Sequence, residues 1–129
     1  MELAKIPKSF DRDIDRYEQI ANSVQEMLMK LGLTKNESKV YTYLNKNGLK
    51  EAKEITQYQK VTRTQIYHLL TALQNKGIVT LISDTPAKFE GIALEKAFDI
   101  LIDNEQKKII DLQLMSSELC ELWKENFYK

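Results

Sequence analysis

Residues 61–79, VTRTQIYHLLTALQNKGIV, place two different faces on one predicted helix. One face is apolar at helical spacing and suits burial. The other is polar, yet no acidic residue occurs between Thr62 and Asn75, whereas a solvated helix face usually mixes Glu with Lys. Thr62 is the predicted N-cap, and Gly77 ends the helix. The apolar positions are Val61, Ile66, Leu69, Leu70 and Leu73.

Two further helices are predicted before this one. Thr34 and Glu37 form a capping box that begins the first of them, and Asn47-Gly48 ends it. A shorter helix is predicted over about residues 51–58. The break at Gln59-Lys60 then leads into the helix that begins near Thr62.

A β-hairpin is predicted directly after the third of these helices. Residues 78–82 are rich in β-branched side chains, residues 83–86 form a turn, and residues 87–92 return with Phe89 on the buried side. Three helices followed by a hairpin is the order of a winged helix-turn-helix, which places its third helix in the major groove and its hairpin on the DNA backbone. We therefore predict a mainly α protein with a small β-hairpin, whose winged helix-turn-helix covers residues 32–93.

Long amphipathic helices are predicted on both sides of this domain, within residues 1–31 and 94–129. The second is expected to run from Leu94 to about Phe127, a length of about 50 Å. Both carry apolar residues at alternating spacings of three and four, as in coiled coils, and a lone helix would leave these side chains in water. We predict that both pair with a second copy of the chain, although the first could instead dock on its own domain. The predicted interface residues are Ile14, Tyr17, Ala21, Val24, Leu28, Leu112, Met115, Leu119, Leu122 and Trp123.

The composition is that of a soluble, largely helical protein. Among 129 residues, 43% are hydrophobic and 29% are charged, with four Gly and two Pro. No apolar run has the length of a membrane span, and residues 1–10 lack a signal-peptide core. The single cysteine, Cys120, excludes an internal disulfide and suits a reducing cytosol. We therefore expect a cytoplasmic, nucleoid-associated protein without a membrane partner.

Positive charge is concentrated in the middle of the chain, although the net charge is zero. Residues 34–92 hold nine Lys or Arg and five Asp or Glu, a net charge of +4, and the rest of the chain carries −4. A basic centre between acidic ends is compatible with double-stranded DNA as the partner.

The polar face of the helix that begins near Thr62 suits DNA, because base edges display fixed donors and acceptors that such side chains can match. Arg63, Gln65 and His68 are the candidates for base edges, and the threonines at the helix start are candidates for phosphate. Tyr67 is expected to pack its ring and reach a phosphate with its hydroxyl, while lysines in the turn and on the wing add phosphate contacts. The predicted DNA-binding residues are Lys60, Thr62, Arg63, Thr64, Gln65, Tyr67, His68, Thr71 and Lys88.

Four stretches of the chain follow a known pattern: LGLTKNESKVYTYL (31–44), AKEI (52–55), VTRTQIYHLLTALQNKGIV (61–79) and PAKFEGIALEKAF (86–98). Together they resemble the N-terminal domain of the TrmB-like family of archaeal transcription regulators. The first matches the family's LGL-x-x-x-E-x-x-x-Y-x-x-L opening, and the third matches its run from the recognition helix into the wing. The resemblance implies a sequence-specific, dimeric, winged-helix DNA-binding regulator.

The chain departs from the family pattern at three places. Lys60 stands where the family usually has Gly, and Glu90 stands where members often have a basic residue. Longer members continue into a sugar-binding effector domain, whereas this chain ends after one helix. We therefore expect a short member that consists of the DNA-binding domain, without a small-molecule effector.

Two other classes of function remain open. A winged helix can serve as a protein–protein interaction module, which fits the zero net charge, or as a low-specificity chromatin protein. An enzyme is not predicted. His68 and Cys120 have no partners at metal-ligand spacing, the one histidine lies on a face with no obvious nucleophile geometry, and no Gly-rich phosphate loop occurs. Neither a metal nor a cofactor is expected.

Overall fold

The computed structural model describes residues 13–128, and these form five helices and a three-stranded antiparallel sheet. This confirms the predicted mainly α winged helix-turn-helix with long terminal helices. The predicted interface residue Ile14 lies in the first helix, but its side chain is outside the described residues. The elements are α1 (Asp13–Lys30), α2 (Lys35–Asn47), β1 (Lys50–Glu51), α3 (Ala52–Gln59), α4 (Arg63–Asn75), β2 (Val79–Asp84), β3 (Ala87–Gly91) and α5 (Leu94–Phe127).

Capping boxes begin α2 and α4 at the predicted residues. Thr34 Oγ1 accepts from the backbone N–H of Glu37 at 3.1 Å, and Glu37 Oε1 accepts from the N–H of Thr34 at 2.8 Å. Thr62 and Gln65 repeat this arrangement at 3.1 and 2.9 Å. Each pair satisfies two backbone donors that a helix start would otherwise leave without partners, so local sequence determines where both helices begin.

The sheet contains one strand more than the predicted hairpin. Its order is β1-β3-β2, and β1 pairs through Lys50 opposite Phe89 and Glu51 opposite Lys88. A strand of two residues is too short to show the alternation by which strands are recognised in a sequence, so only the pairing with β3 reveals it. The hairpin itself contains an irregularity in its register between Leu81 and Ser83.

A single hydrophobic core joins the winged helix to both flanking helices. Leu28 of α1 is fully buried in this core, which corrects its assignment to an interface between chains, and Val24 packs partly against the same core. The core therefore crosses the boundaries predicted at residues 31 and 93. Its members are Leu28, Leu33, Val40, Tyr41, Leu44, Ala52, Ile55, Ile66, Leu70, Leu73, Ile78, Val79, Phe89, Ala97 and Leu101.

Beyond Leu101, α5 leaves this core and continues as a helix whose side chains are almost all exposed. Many of the exposed side chains are large and apolar, including all five predicted interface residues of this helix. More than half of the surface of each of these side chains is accessible: Ile109, Ile110, Leu112, Leu114, Met115, Leu119, Leu122, Trp123 and Phe127. None of the helices within residues 13–128 is both long and apolar enough to cross a membrane.

Candidate nucleic-acid interface

The buried side of α4 determines which of its residues face outward. Ile66, Leu70 and Leu73 are fully buried and recur at three- and four-residue spacing, so the opposite face of the helix is turned away from the core. The seven predicted DNA-binding residues of this segment are all exposed: Thr62, Arg63, Thr64, Gln65, Tyr67, His68 and Thr71. The structure thus brings them together on one open surface, which we call the α4 face.

The capping box changes what two residues of the α4 face can offer a ligand. The Gln65 side-chain oxygen accepts from the Thr62 backbone N–H at 2.9 Å, which occupies one of its two lone pairs and leaves both amide N–H groups to donate to a ligand. Thr62 Oγ1 accepts from the Gln65 backbone N–H and keeps its own hydroxyl proton for a phosphate. Gln65 therefore has both a structural and a candidate binding role, and sequence reasoning assigned it only the second.

Tyr67 links the α4 face to the wing. Its ring lies edge-on to Phe89 of β3 at a centroid distance of 6.5 Å, and the Arg63 guanidinium carbon lies 6.0 Å from the Tyr67 ring centroid. The tyrosine remains 41% exposed, so its ring packs on the wing and also supports the arginine. Because Arg63 lies one helical turn before Tyr67, its guanidinium lies over the ring that packs on the wing.

Lys60 occupies the turn between α3 and α4 in a left-handed backbone conformation, with φ 56° and ψ 43°. Its N–H donates to the carbonyl oxygen of Thr56 at 2.9 Å and closes the end of α3. The turn therefore keeps the geometry that a glycine adopts most easily, although a lysine stands there. The side chain is exposed and adds a positive charge beside the start of α4.

Lys88 is not brought to the α4 face. It lies in β3, the central strand, opposite Glu51 on one side and Ser83 on the other. Because neighbouring residues of a strand point to opposite sides and Phe89 contacts Tyr67, Lys88 lies on the other side of the sheet. Its contact with phosphate stays a prediction. The turn of the wing, residues 84–87, carries Asp84 and no basic residue.

Lys76 is engaged elsewhere in the domain, at the C-terminal end of α4. Its Nζ lies 3.7 Å from Oε1 of Glu37, a buried carboxylate that also caps α2. This pair joins the start of α2 to the end of α4, so we do not count Lys76 among the cations available to DNA.

Within residues 15–128, no three His, Cys, Asp or Glu side chains lie close enough together to hold a metal ion.

Part of the chain matches a known family model. Residues 28–95 match the family described as sugar-specific transcriptional regulator TrmB. The HTH-type sugar sensing transcriptional regulator TrmBL1 of Pyrococcus furiosus is 33% identical over 113 residues, which cover 81% of this chain and 33% of that protein. The chain thus spans about a third of the length of this curated relative.

Solved structures share the fold at low sequence identity. TrmBL2, described as an archaeal chromatin protein with a novel mode of DNA binding, superposes with a TM-score of 0.70 at 18% identity, covering 82% of this chain and 41% of that one. The multiple antibiotic-resistance repressor MarR of Listeria monocytogenes gives a TM-score of 0.51 at 12% identity, covering 91% of this chain and 95% of that one. Both comparisons support the winged-helix fold.

Proposed function

This chain belongs to the TrmB family of winged-helix transcription regulators, and on that basis we propose that it binds double-stranded DNA as a sequence-specific homodimer. The observation that carries the proposal is the α4 face, which is exposed over its whole length and free of acidic residues. A carboxylate on this face would be repelled by phosphate, whereas hydroxyl, amide, imidazole and guanidinium groups can bond to base edges. We place its activity in the cytoplasm, on the nucleoid.

We propose that α4 enters the major groove with Arg63 as its principal base-reading residue. A guanidinium can donate two parallel hydrogen bonds to guanine, the most common specific contact in the major groove. The ring of Tyr67 beneath Arg63 supports that geometry. His68 and Thr71 continue the same face toward the end of the helix.

Phosphate contacts would position α4 in the groove. Thr62 and Thr64 lie at the helix N-terminus, where the free N–H groups and the helix dipole favour an anion. Lys60 adds a charge in the adjoining turn. We propose that the wing lies along the backbone, where Lys88 could reach a phosphate only from the outer side of the sheet.

We propose that α5 pairs with α5 of a second copy. The exposed apolar side chains beyond Leu101 cover too much of a long helix to remain in water in a stable protein. From α1, Tyr17 is 68% exposed and stays a proposed contact, together with the half-buried Ala21 and Val24. A two-fold pair would present two α4 helices to palindromic half-sites about 34 Å apart or a multiple of that distance.

The proposal is tested by selecting bound duplexes from a random pool, with light scattering of the same sample. We expect a palindromic consensus, a dimer, and affinity that falls steeply as salt rises. Binding without a consensus would contradict specificity and favour the chromatin alternative. No binding at low salt would favour a protein–protein interaction module.

A further inference from the structure

A cleft of about 900 Å³ lies between α1, α2 and the end of α3 with the turn that follows it. Its volume is in the upper range of small-molecule sites, and its lining mixes aromatic rings, amides and lysines. No motif in the sequence predicts this cleft, because its walls come from three separate helices. The side chains that carry the following argument are Lys39, Tyr43, Lys46, Tyr58 and Lys60.

An aromatic pair forms one wall of the cleft. The rings of Tyr43 and Tyr58 are stacked, with centroids 4.4 Å apart and an angle of 27° between their planes. Tyr43 belongs to α2 and packs partly against the hydrophobic core, and Asn47 Nδ2 donates to its backbone oxygen at 2.8 Å. Tyr58 is 50% exposed, which leaves part of its ring available to stack on another planar group.

The charge of the cleft is positive and largely uncompensated. Lys39, Lys46 and Lys60 line it, and among residues 15–128 no carboxylate lies within 4.0 Å of any of their ammonium groups. The lining contains one acidic side chain, Glu18. Three cations beside an exposed ring favour a ligand that is both planar and anionic.

We propose that this cleft binds a planar organic anion of the nucleoside-phosphate class. The base stacks on Tyr58, and the phosphate lies among Lys39, Lys46 and Lys60. The concave shape favours such a small molecule over a duplex, whose backbone is convex. This binding goes beyond the proposed function and does not depend on it.

Calorimetric titration with adenosine monophosphate, adenosine and inorganic phosphate tests each part of the ligand separately. We expect saturable binding of adenosine monophosphate that is tighter than that of either fragment. Equal affinity for phosphate alone or for adenosine alone would overturn the proposal, and so would the absence of saturable binding. NMR spectra recorded during the titration locate the ligand through changes in the backbone amide chemical shifts. Changes at the α4 face rather than at the cleft would also overturn the proposal.

Variants of the cleft give the matched comparison. Tyr58→Leu should weaken binding of adenosine monophosphate by at least about fivefold, because base–aromatic stacking contributes about 1 kcal/mol or more. Tyr58→Phe, which keeps an aromatic ring, should bind adenosine monophosphate as tightly as the wild type. Lys46→Gln should weaken it as well, whereas Lys53→Gln, an exposed lysine outside the cleft, should leave it unchanged. Equal affinity in all four variants, with circular dichroism confirming that each is folded, would overturn the assignment.

Lys60 connects this cleft to the α4 face, since it lines the cleft and lies in the turn before α4. We therefore expect saturating adenosine monophosphate to weaken duplex binding by the wild type but not by Tyr58→Leu. This coupling rests on the proposed function. Unchanged duplex affinity in the wild type would overturn the coupling, whereas failure to bind duplex at all would count against the proposed function and leave the titration as the separate test of the cleft.

Discussion

The hydroxyl of Tyr41 in α2 donates a hydrogen bond of 2.6 Å to the backbone oxygen of Ile92, the residue that follows the last strand of the wing. Asn45 Nδ2 donates to the same oxygen at 3.0 Å, and the Ile92 N–H donates to Ile78 at 3.1 Å. A Cβ at Gly91 would lie 3.1 Å from the backbone nitrogen of Asn45, so the strand approaches α2 closely. These contacts hold the wing at a defined position relative to α2.

Removing the Tyr41 hydroxyl should weaken the fold. Tyr41→Phe keeps the ring in the core and deletes two hydrogen bonds of the hydroxyl, the one donated to Ile92 and the one accepted from Asn45 Nδ2 at 3.3 Å. We therefore expect the free energy of unfolding to fall by about 1–2 kcal/mol. Urea denaturation at one fixed protein concentration measures this change, since oligomers gain apparent stability with concentration. Tyr58→Phe, which alters an exposed ring, should change stability far less. Equal effects of the two substitutions would contradict the importance of the bond to Ile92.

Tyr41 should also make the stability of the protein sensitive to alkaline pH. Burial raises the pKa of Tyr41 from 10.0 to about 12, and the hydrogen bond from Asn45 opposes this shift. Because the pKa is higher in the folded state, this contribution to stability is fully present below pH 10 and is lost as the pH rises toward 12. We expect the stability of the wild type to fall relative to Tyr41→Phe over this range. Urea denaturation at several pH values measures this difference. If the free energies of unfolding of the wild type and Tyr41→Phe change in parallel with pH, Tyr41 is not the source of the alkaline sensitivity.

Replacing Lys60 by glycine should raise the stability of the domain and lower its affinity for DNA. Its φ of 56° is costly for a residue with a Cβ, so Lys60→Gly should stabilise the domain by about 1 kcal/mol. The same change removes a charge beside α4 and should weaken duplex binding. Lys60→Ala is the control, because it removes the charge but keeps the Cβ. If both variants have the same unfolding free energy, the left-handed turn is not the source of the effect.

Arg63 should determine which sequence is bound. Arg63→Ala should lower the affinity for the selected duplex by about 1–3 kcal/mol and reduce the preference for one base pair, because a base contact is lost. Lys107→Ala removes an exposed positive charge from α5, outside the α4 face, and should leave both quantities unchanged. Competition binding with selected and random duplexes measures both. An Arg63→Ala variant that weakens both duplexes equally would identify Arg63 as a phosphate contact instead.

The apolar residues of α5 should control the oligomeric state. Leu119→Glu places a charge in the predicted interface and should convert the dimer to monomers, because an unpaired carboxylate is costly to bury. Ser117→Glu adds the same charge to the same helix near the opposite side from Leu119 and should leave the dimer intact. Light scattering distinguishes the two results. A dimer that survives Leu119→Glu would place the contact between copies elsewhere.

The α4 face and the helix boundaries were predictable because they depend on residues close together in the chain. The capping pairs Thr34–Glu37 and Thr62–Gln65 span three residues, and the buried stripe of α4 repeats every three or four. Both patterns can therefore be recognised from the sequence alone. The prolonged apolar pattern of α5 likewise predicted a helix to Phe127.

Only the tertiary structure decided which of these surfaces meet and which are buried. The bond from Tyr41 to Ile92 joins residues 51 positions apart, and the pairing of β1 with β3 is also distant in sequence. The amphipathic pattern of α1 is the same whether Leu28 packs on its own domain or on another chain, so burial in the core could be read only from the packing. Contacts between distant segments depend on the path of the chain through space and leave no periodic signal in the order of residues. The outer position of Lys88 and the walls of the cleft were decided in this way.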